Sequence, residues 1–198
     1  MLEKIKNLYA FGIRFFIRKS KIKDNVELRL HGKSDIKRWK HDNELFQDWD
    51  ERTLILGSFI PLENNVIEFG AGNMVLKTLN FKSYTPTDIV KRNQEMLVCD
   101  LNEPIALDLS CYDTGVFSGV LEYVYNIDTV FNKISQDINQ IVLSYCCSDI
   151  ITLSRDKNGW LSDFTKGELE EIFEKYNYKI VDYSEWRNQS IYNLKKTN

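Results

Sequence analysis

The fold is decided by the stretch Asn65-Val66-Ile67-Glu68-Phe69-Gly70-Ala71-Gly72-Asn73. Val66 and Ile67 are β-branched residues, which favour the pleated, buried environment of a sheet. Gly70 and Gly72 follow them and allow a tight turn in which the backbone approaches a ligand with no Cβ atom in the way. We therefore predict a buried strand, a glycine turn and a helix that the turn opens. Ligands of open α/β sheets bind at the carboxyl ends of strands, so this turn is a predicted ligand site.

The spacing of these glycines excludes two common phosphate-binding motifs. The dinucleotide fingerprint G-x-G-x-x-G/A requires Gly or Ala where this chain has Val75. A P-loop requires the run G-x-x-x-x-G-K-[ST], which this stretch does not contain. The remaining pattern is Glu68-x-Gly70-x-Gly72, with an acidic residue after the next strand. An ordinary strand-turn-helix corner is the alternative interpretation of the same residues.

This pattern resembles the first motif of class I S-adenosylmethionine (SAM)-dependent methyltransferases. The resemblance implies that the acid and the glycine turn hold the methionine part of SAM, which assigns this part to Glu68, Gly70, Ala71 and Gly72. Three further segments resemble later motifs of the same family, and they follow in the family's order.

The segments that resemble the family's second and third motifs each place an acidic residue at the end of a predicted strand. Ser83–Asp88 is a predicted strand that ends in an acid, at the distance of about 20 residues from the glycines where a ribose-binding acid is expected. The resemblance implies that Asp88, with Ile89 beside it, binds the ribose, while a helix N-cap is the alternative role of Asp88. Met96–Pro104 resembles the third motif, which implies that Asp100 and the following Leu101 contact the adenine.

The closest match to the family is Tyr112–Val124. It combines an Asp, an apolar strand, Ser-Gly and then Val-Leu-Glu-aromatic, a pattern common among bacterial small-molecule and sugar methyltransferases. The resemblance implies that Ser118 contacts the cofactor and that Glu122 and Tyr123 lie near the transferred methyl group as catalytic candidates. Tyr145, at the end of the predicted fifth strand, is a substrate-binding candidate. A surface Glu and packing Tyr residues are the alternative interpretations.

The chain departs from the family pattern at two places. Met74 occupies the position of the third glycine that many members carry, which predicts a different packing of the following helix or a tighter pocket. Only Ile89 to Glu95 separate the second and third predicted strands, whereas a parallel crossover usually takes a dozen or more residues. We therefore expect the crossover helix to be very short or replaced by a turn.

Composition indicates a soluble globular protein of one domain. The chain has 198 residues, of which 43% are hydrophobic and 28% are charged, and these proportions exclude the disordered and membrane-spanning classes. Its four cysteines show no metal-type C-x-x-C spacing, so we expect reduced thiols in a cytoplasmic protein and no metal site.

The charge of the chain is concentrated near its start. Residues 1–23 contain seven basic side chains and one acid, a net charge of +6 against −9 for the rest of the −3 total. The acidic remainder argues against nucleic-acid binding. Apolar residues at helical spacing in this segment predict an amphipathic helix, interrupted by Gly12 and Arg14, that is neither a membrane span nor a signal peptide. It has two possible roles: peripheral contact with an anionic inner membrane face, or docking on the enzyme or a partner subunit.

Residues 1–62 form the predicted helical cap, and residues 63–198 the predicted SAM-binding domain. The cap contains both histidines, on either side of the polar stretch Gly32–Lys40, and a predicted helix from Asn43 to Ile60. A histidine titrates near neutral pH, so His31 is a further catalytic candidate, with a surface role as the alternative. His41, Arg38 and Trp39 are substrate-binding candidates.

The C-terminal third predicts the remaining elements. Arg155–Leu161 is a loop whose Trp160 contacts the substrate or covers the cofactor. Thr165 and Glu168 form a capping-box pattern that begins a helix. Lys179–Tyr183 and Ser190–Leu194 are predicted to close the sheet as an antiparallel pair.

Together these expectations describe a Rossmann-like α/β sandwich with a seven-stranded, mostly parallel sheet, an antiparallel closing strand and an N-terminal helical cap. The resemblance implies O- or N-methylation of a small-molecule or saccharide acceptor, with SAM as cofactor and S-adenosylhomocysteine (SAH) as product. A methyltransferase-like binding or scaffold protein without catalysis is the alternative, and Val75 disfavours an NAD-linked oxidoreductase.

Overall fold

The computed structural model of the protein describes residues 23–41 and 45–197. The predicted amphipathic helix at the start of the chain lies almost wholly outside these ranges. The helices are α1 (residues 23–30), α2 (Ile36–Trp39), α3 (Asp50–Ser58), α4 (Ile127–Ile134), α5 (Arg155–Asn158) and α6 (Lys166–Lys175). Within the described ranges, three 3-10 turns cover Gln47–Trp49, Val75–Leu79 and Leu121–Tyr123. Among the described residues, no helix is long and apolar enough to cross a membrane.

Seven strands form one mixed sheet. They are β1 (Asn65–Phe69), β2 (Ser83–Asp88), β3 (Leu97–Val98), β4 (Thr114–Ser118), β5 (Gln140–Tyr145), β6 (Tyr178–Trp186) and β7 (Gln189–Lys196). Their order is β3-β2-β1-β4-β5-β7-β6. The pairings from β3 to β5 are parallel, while β7 runs antiparallel to both β5 and β6. The predicted Rossmann-like sheet with an antiparallel closing strand is confirmed.

Alternating side chains give the central strands two apolar faces. In β1, Ile67 and Phe69 belong to one core cluster and Val66 to another, as the two-residue period of a strand requires. In the same way Phe117 of β4 faces the first cluster and Val116 the second. A sheet that is apolar on both sides needs a covering layer on each, which gives the three layers of the sandwich.

Helices α4 and α6 cover the first face. Asn126 is the N-cap of α4, and its side chain accepts a hydrogen bond from the Thr129 amide. The helix buries residues at spacings of three, four and seven. Its Phe131 lies 5.5 Å from Phe173 of α6, measured between ring centroids. The start of α6 has the predicted capping box between Thr165 and Glu168.

Helix α3 and the turn at Val75–Leu79 cover the second face, where Leu56 is fully buried. The helix predicted from Asn43 to Ile60 is shorter in the structure, beginning at Asp50 after a 3-10 turn; residues 42–44 lie outside the described ranges. This part of the predicted cap is therefore an integral layer of the sandwich.

The two departures from the family pattern have structural counterparts. The expected helix after the glycine turn is only the 3-10 turn Val75–Leu79, because Met74 and Asn80 on either side of it have left-handed backbones with φ of 56° and 53°. Met74 thus adopts the positive φ that a glycine would adopt without strain. Between β2 and β3 the chain makes bends and forms no helix, as predicted.

Candidate functional site

A cavity of about 480 Å³ opens at the carboxyl ends of the strands. The ends of β1, β2 and β4 contribute to its floor, while parts of residues 25–53 and 151–161 contribute to its walls. Every residue predicted to bind the cofactor lines it: Glu68, Gly70, Ala71, Gly72, Asp88, Ile89, Asp100, Leu101 and Ser118. The topology thus brings residues from four separate motifs to one place.

The carboxylate of Asp88 stabilises the glycine turn through a hydrogen bond. One carboxylate oxygen accepts a hydrogen bond from the Gly72 amide (3.0 Å) and the other from the Val90 amide (3.1 Å). The Ala71 amide also donates to the carbonyl of Thr87 (2.8 Å). Asp88 therefore caps a turn, since no helix follows it, and its carboxylate lies on the cavity wall.

Glu68 is a buried acid at the end of β1, with 1% of its surface exposed. Its carboxyl accepts a hydrogen bond from the Tyr84 hydroxyl. Burial raises the pKa of Glu68 to about 8, an effect strengthened by Asp88 and opposed by Tyr84 and Arg52. The raised pKa therefore favours the protonated form of this carboxyl at neutral pH.

Asp100 connects the cap to the sheet. Its Oδ1 accepts hydrogen bonds from the Ser34 hydroxyl (2.7 Å) and the Asn102 amide (2.9 Å). The side-chain amide of Asn102 donates in turn to Ser34 (2.7 Å) and to the carbonyl of Tyr123 (2.9 Å). This network ties the expected adenine end of the cavity to the turn that follows β4.

Glu122 and Tyr123 lie on that turn and line the cavity. Glu122 is 2% exposed; its Oε1 accepts a hydrogen bond from the Cys146 amide (2.9 Å), while Oε2 has no hydrogen-bond partner among the described residues. The ring of Tyr123 meets Trp39 edge-on at 4.8 Å, and the Arg38 guanidinium lies 5.4 Å from it. An acid with a spare acceptor oxygen thus lies beside an aromatic wall.

Residues from the cap and from the loop after β5 join above the cavity. Asn25 donates to the carbonyl of Asp156 (2.8 Å), and Arg29 donates to that of Trp160 (2.6 Å). Arg29 also forms an ion pair with the Asp156 carboxylate (3.2 Å), and Arg38 donates to the carbonyl of Asn158 (2.7 Å). Both segments line the cavity, so the two walls are bonded to each other.

Solved structures with this architecture include proteins crystallised with SAM or SAH. One is a 1,6-didemethyltoxoflavin-N1-methyltransferase from Burkholderia thailandensis with SAH and 1,6-didemethyltoxoflavin bound; it is 16% identical, with a TM-score of 0.62 over 89% of this chain and 87% of that one. Another is the O-methyltransferase NcsB1 from neocarzinostatin biosynthesis, in complex with SAM and 2-hydroxy-5-methyl naphthoic acid, at 11% identity and a TM-score of 0.59 over 93% and 69% of the two chains. The chain has the class I methyltransferase fold.

A third structure of the same fold is the [4+2]-cyclase SpnF, 9% identical with a TM-score of 0.60 over 74% of this chain and 80% of that one. No protein-family model matches the sequence, and no curated protein sequence matches it. The comparisons therefore establish the fold alone.

Three of the predicted site residues lie away from the cavity. His31 and His41 are exposed, and the His31 ring pairs with the carbonyl of Glu27 in the preceding helix α1 (2.8 Å). Tyr145 is fully buried, and its hydroxyl bonds to Ser162 (2.9 Å) and accepts from the Phe164 amide (3.2 Å). The alternation of β5 turns Tyr145 to the α4 and α6 face, so it packs in the core. The other substrate-binding candidates, Arg38, Trp39 and Trp160, line the cavity.

Sequence analysis missed Arg52, which projects from α3 into the cavity. Its guanidinium donates to the Ser118 hydroxyl (3.2 Å), the Ser118 carbonyl (3.2 Å) and the side chain of Gln189 (2.9 Å). Thr53 also bonds to the Ser118 hydroxyl (2.7 Å). These partners are 66 and 137 residues from Arg52 in the chain, so only the folded structure reveals the cluster. Among the described residues, no group of His, Cys, Asp and Glu side chains could hold a metal ion.

Proposed function

We propose that this protein binds SAM in the cavity and transfers its methyl group to an oxygen or nitrogen of a small-molecule or saccharide acceptor. The observation that carries the proposal is the meeting of all nine motif residues around one cavity, at the carboxyl edge of a sheet with the class I methyltransferase fold. The shared position of motifs that resemble the family in sequence supports the proposal.

The proposed cofactor position follows from the polar groups along the cavity. Each oxygen of Asp88 accepts one backbone hydrogen bond and retains capacity for a ribose hydroxyl. Asp100, where the cap meets the sheet, accepts from the adenine amine. The glycine turn and Glu68 receive the methionine end, where the ammonium favours the ionised form of Glu68.

The proposed reaction needs positioning more than activation. The acceptor atom forms a bond to the methyl carbon while the bond from carbon to sulfur breaks, and the electron pair of that bond remains on the sulfur of SAH. Holding donor and acceptor in line, away from water, supplies about 7 to 11 kcal/mol in favourable cases. Glu122, whose Oε2 has no described partner, takes the proton that the acceptor loses. Trp39, Arg38 and Trp160 hold the acceptor, with Tyr123 beside its reacting group.

Two measurements test this proposal in sequence. Titration calorimetry should detect SAH binding to the purified protein, and NAD should give no signal under the same conditions. A panel of phenols, amines and saccharides is then incubated with methyl-labelled SAM, and label transfer identifies the acceptor. Absence of SAH binding contradicts the proposed function. SAH binding without transfer to any member of a broad panel favours the alternative, a methyltransferase-like binding protein.

A further inference from the structure

No carboxylate among the described residues is bonded to the Arg52 guanidinium. It is partly buried and lines the cavity, yet all its hydrogen-bond acceptors are neutral groups of Ser118 and Gln189. Charged groups that lose water are normally paired with an opposite charge, so the surroundings of Arg52 favour the binding of an anion.

The electrostatic surroundings of Arg52 also favour an anion beside it. Burial lowers the pKa of the Arg52 guanidinium, which means that its charge is partly desolvated. Glu122 and Glu68 are near enough to act on it through space, but Glu122 bonds instead to the Cys146 amide and Glu68 to Tyr84. The positive charge at this point of the cavity is therefore not neutralised by direct contact.

The guanidinium is held in a fixed orientation. Of the five N–H bonds of an arginine, three donate to Ser118 and Gln189, which leaves one on each terminal nitrogen. The group lies against the backbone of Gly119, where φ is +61° and an added Cβ would be 2.6 Å from Cζ. The ring of Trp49 is also near, with its centroid 5.2 Å from Cζ. Two remaining N–H bonds on a planar, preoriented group match the two oxygens of a carboxylate.

We infer that Arg52 is the carboxylate-binding residue of this cavity, an inference that rests on the proposed function for the identity of its ligands. The carboxylate has two possible sources. One is the methionine end of the cofactor, because Ser118 ends β4, which pairs with β1, the strand that leads into the glycine turn. The other is an acceptor that carries a carboxylate, because Gln189 lies on the opposite side, at the start of β7.

The first arm of the test changes the cofactor. Calorimetry compares SAH with S-adenosyl-3-thiopropylamine, which differs from SAH by the missing carboxylate. If the cofactor is the source, we expect the wild-type protein to bind the decarboxylated compound about 10- to 100-fold more weakly, the range for hydrogen bonds to a charged group. Arg52→Gln should weaken SAH binding by a similar factor and leave binding of the decarboxylated compound unchanged. Arg52→Lys, which keeps the charge but not the planar fork, should lie between them.

The second arm uses benzoate and benzamide as probes, titrated into protein saturated with SAH. Binding of benzoate but not benzamide, lost in Arg52→Gln while SAH affinity is kept, identifies an acceptor carboxylate. The matched control is Arg187→Gln, which removes a cavity-lining arginine that pairs with Glu51 (3.8 Å) and stacks on Trp186. Arg187→Gln should change neither the binding of SAH and its decarboxylated analogue nor the binding of benzoate.

The outcomes separate the inference from the proposed function. If the wild-type protein binds no SAH, the proposed function fails, and the benzoate titration without SAH decides the role of Arg52. The inference is overturned if the wild-type protein binds SAH and its decarboxylated analogue equally and shows no preference for benzoate. That comparison needs no variant, so it holds even if a substitution at Arg52 prevents folding.

Discussion

Asp88 combines a structural and a proposed binding role in one carboxylate. Because each oxygen keeps capacity beyond its backbone bond, Asp88→Ala should weaken SAH binding by about 1.5 to 3 kcal/mol, as expected for hydrogen bonds to a charged group. Calorimetry measures the change, with Asp137→Ala, remote from the cavity lining, as the control. Asp88→Ala also removes the hydrogen bond from the Gly72 amide, so circular dichroism is used to check that the variant is folded. Unchanged affinity in a folded variant would exclude the ribose role.

Glu68 makes the stability of the ligand-free protein depend on pH. Burial raises its pKa from 4.5 to about 8, so between these values the folded state keeps a proton that the unfolded state has lost. The stabilisation is complete below about pH 4.5 and is lost as the pH rises to about 8. Thermal melts of the wild-type protein should therefore show a lower melting temperature at pH 8.5 than at pH 6. Glu68→Gln, which cannot ionise, should reduce this difference; an equal difference in both proteins would contradict the assignment.

The turn after β1 shows which local features a sequence reveals. Strand β1, the glycine turn and the capping box of α6 are each determined by residues close together in the sequence. The structure contains all three as predicted. The helix expected after the turn depends on the backbone of Met74, and its left-handed conformation shortens the helix to a 3-10 turn. A methionine gives no local signal for that conformation, because only glycine adopts it without strain.

The loop that carries Trp160 is predicted to select the acceptor. Trp160 is 8% exposed, lines the cavity and lies 4.8 Å from the Arg155 guanidinium, outside the cofactor motifs. Trp160→Ala should therefore leave SAH affinity within about twofold and reduce kcat/KM for the acceptor about tenfold or more, which corresponds to about 1.4 kcal/mol. Calorimetry and label transfer measure the two quantities. Trp160→Phe, which keeps an aromatic ring, is the control for loss of packing, and loss of SAH binding with acceptor affinity intact would make Trp160 a cofactor lid.

The distribution of charge over the whole chain leads to a further prediction. Residues 1–23 carry +6 and apolar side chains at helical spacing, while the rest of the chain carries −9. If this segment contacts a membrane, the protein should sediment with anionic vesicles at low salt and be released as salt rises, because screening weakens the attraction. A chain lacking residues 1–22 and neutral vesicles are the controls. Failure to sediment at low salt leaves docking on the enzyme or a partner as the role.

The whole sheet explains why the motifs were predictable and Arg52 was not. Motifs at the ends of parallel strands can be predicted to lie close together, because β1, β2 and β4 all end at one edge of the sheet. Arg52 reaches that edge from α3, a helix that covers one face of the sheet. Its partner Gln189 begins β7, which runs antiparallel to β5. The reversed direction brings the amino end of β7 to the edge where the others finish. Such contacts depend on topology, and no spacing in the sequence records them.

The hydrogen bonds between residues 25–38 and residues 156–160 also have a kinetic consequence. Asn25, Arg29 and Arg38 hold the two walls of the cavity mouth together. Because these bonds join the two walls, neither wall can move away from the other without breaking them. If the cavity binds SAM as proposed and ligands pass between these walls, arrival of SAM and departure of SAH both require the same bonds to break. An enzyme limited by that step would turn over at one rate for all its acceptors, whatever their nucleophilicity.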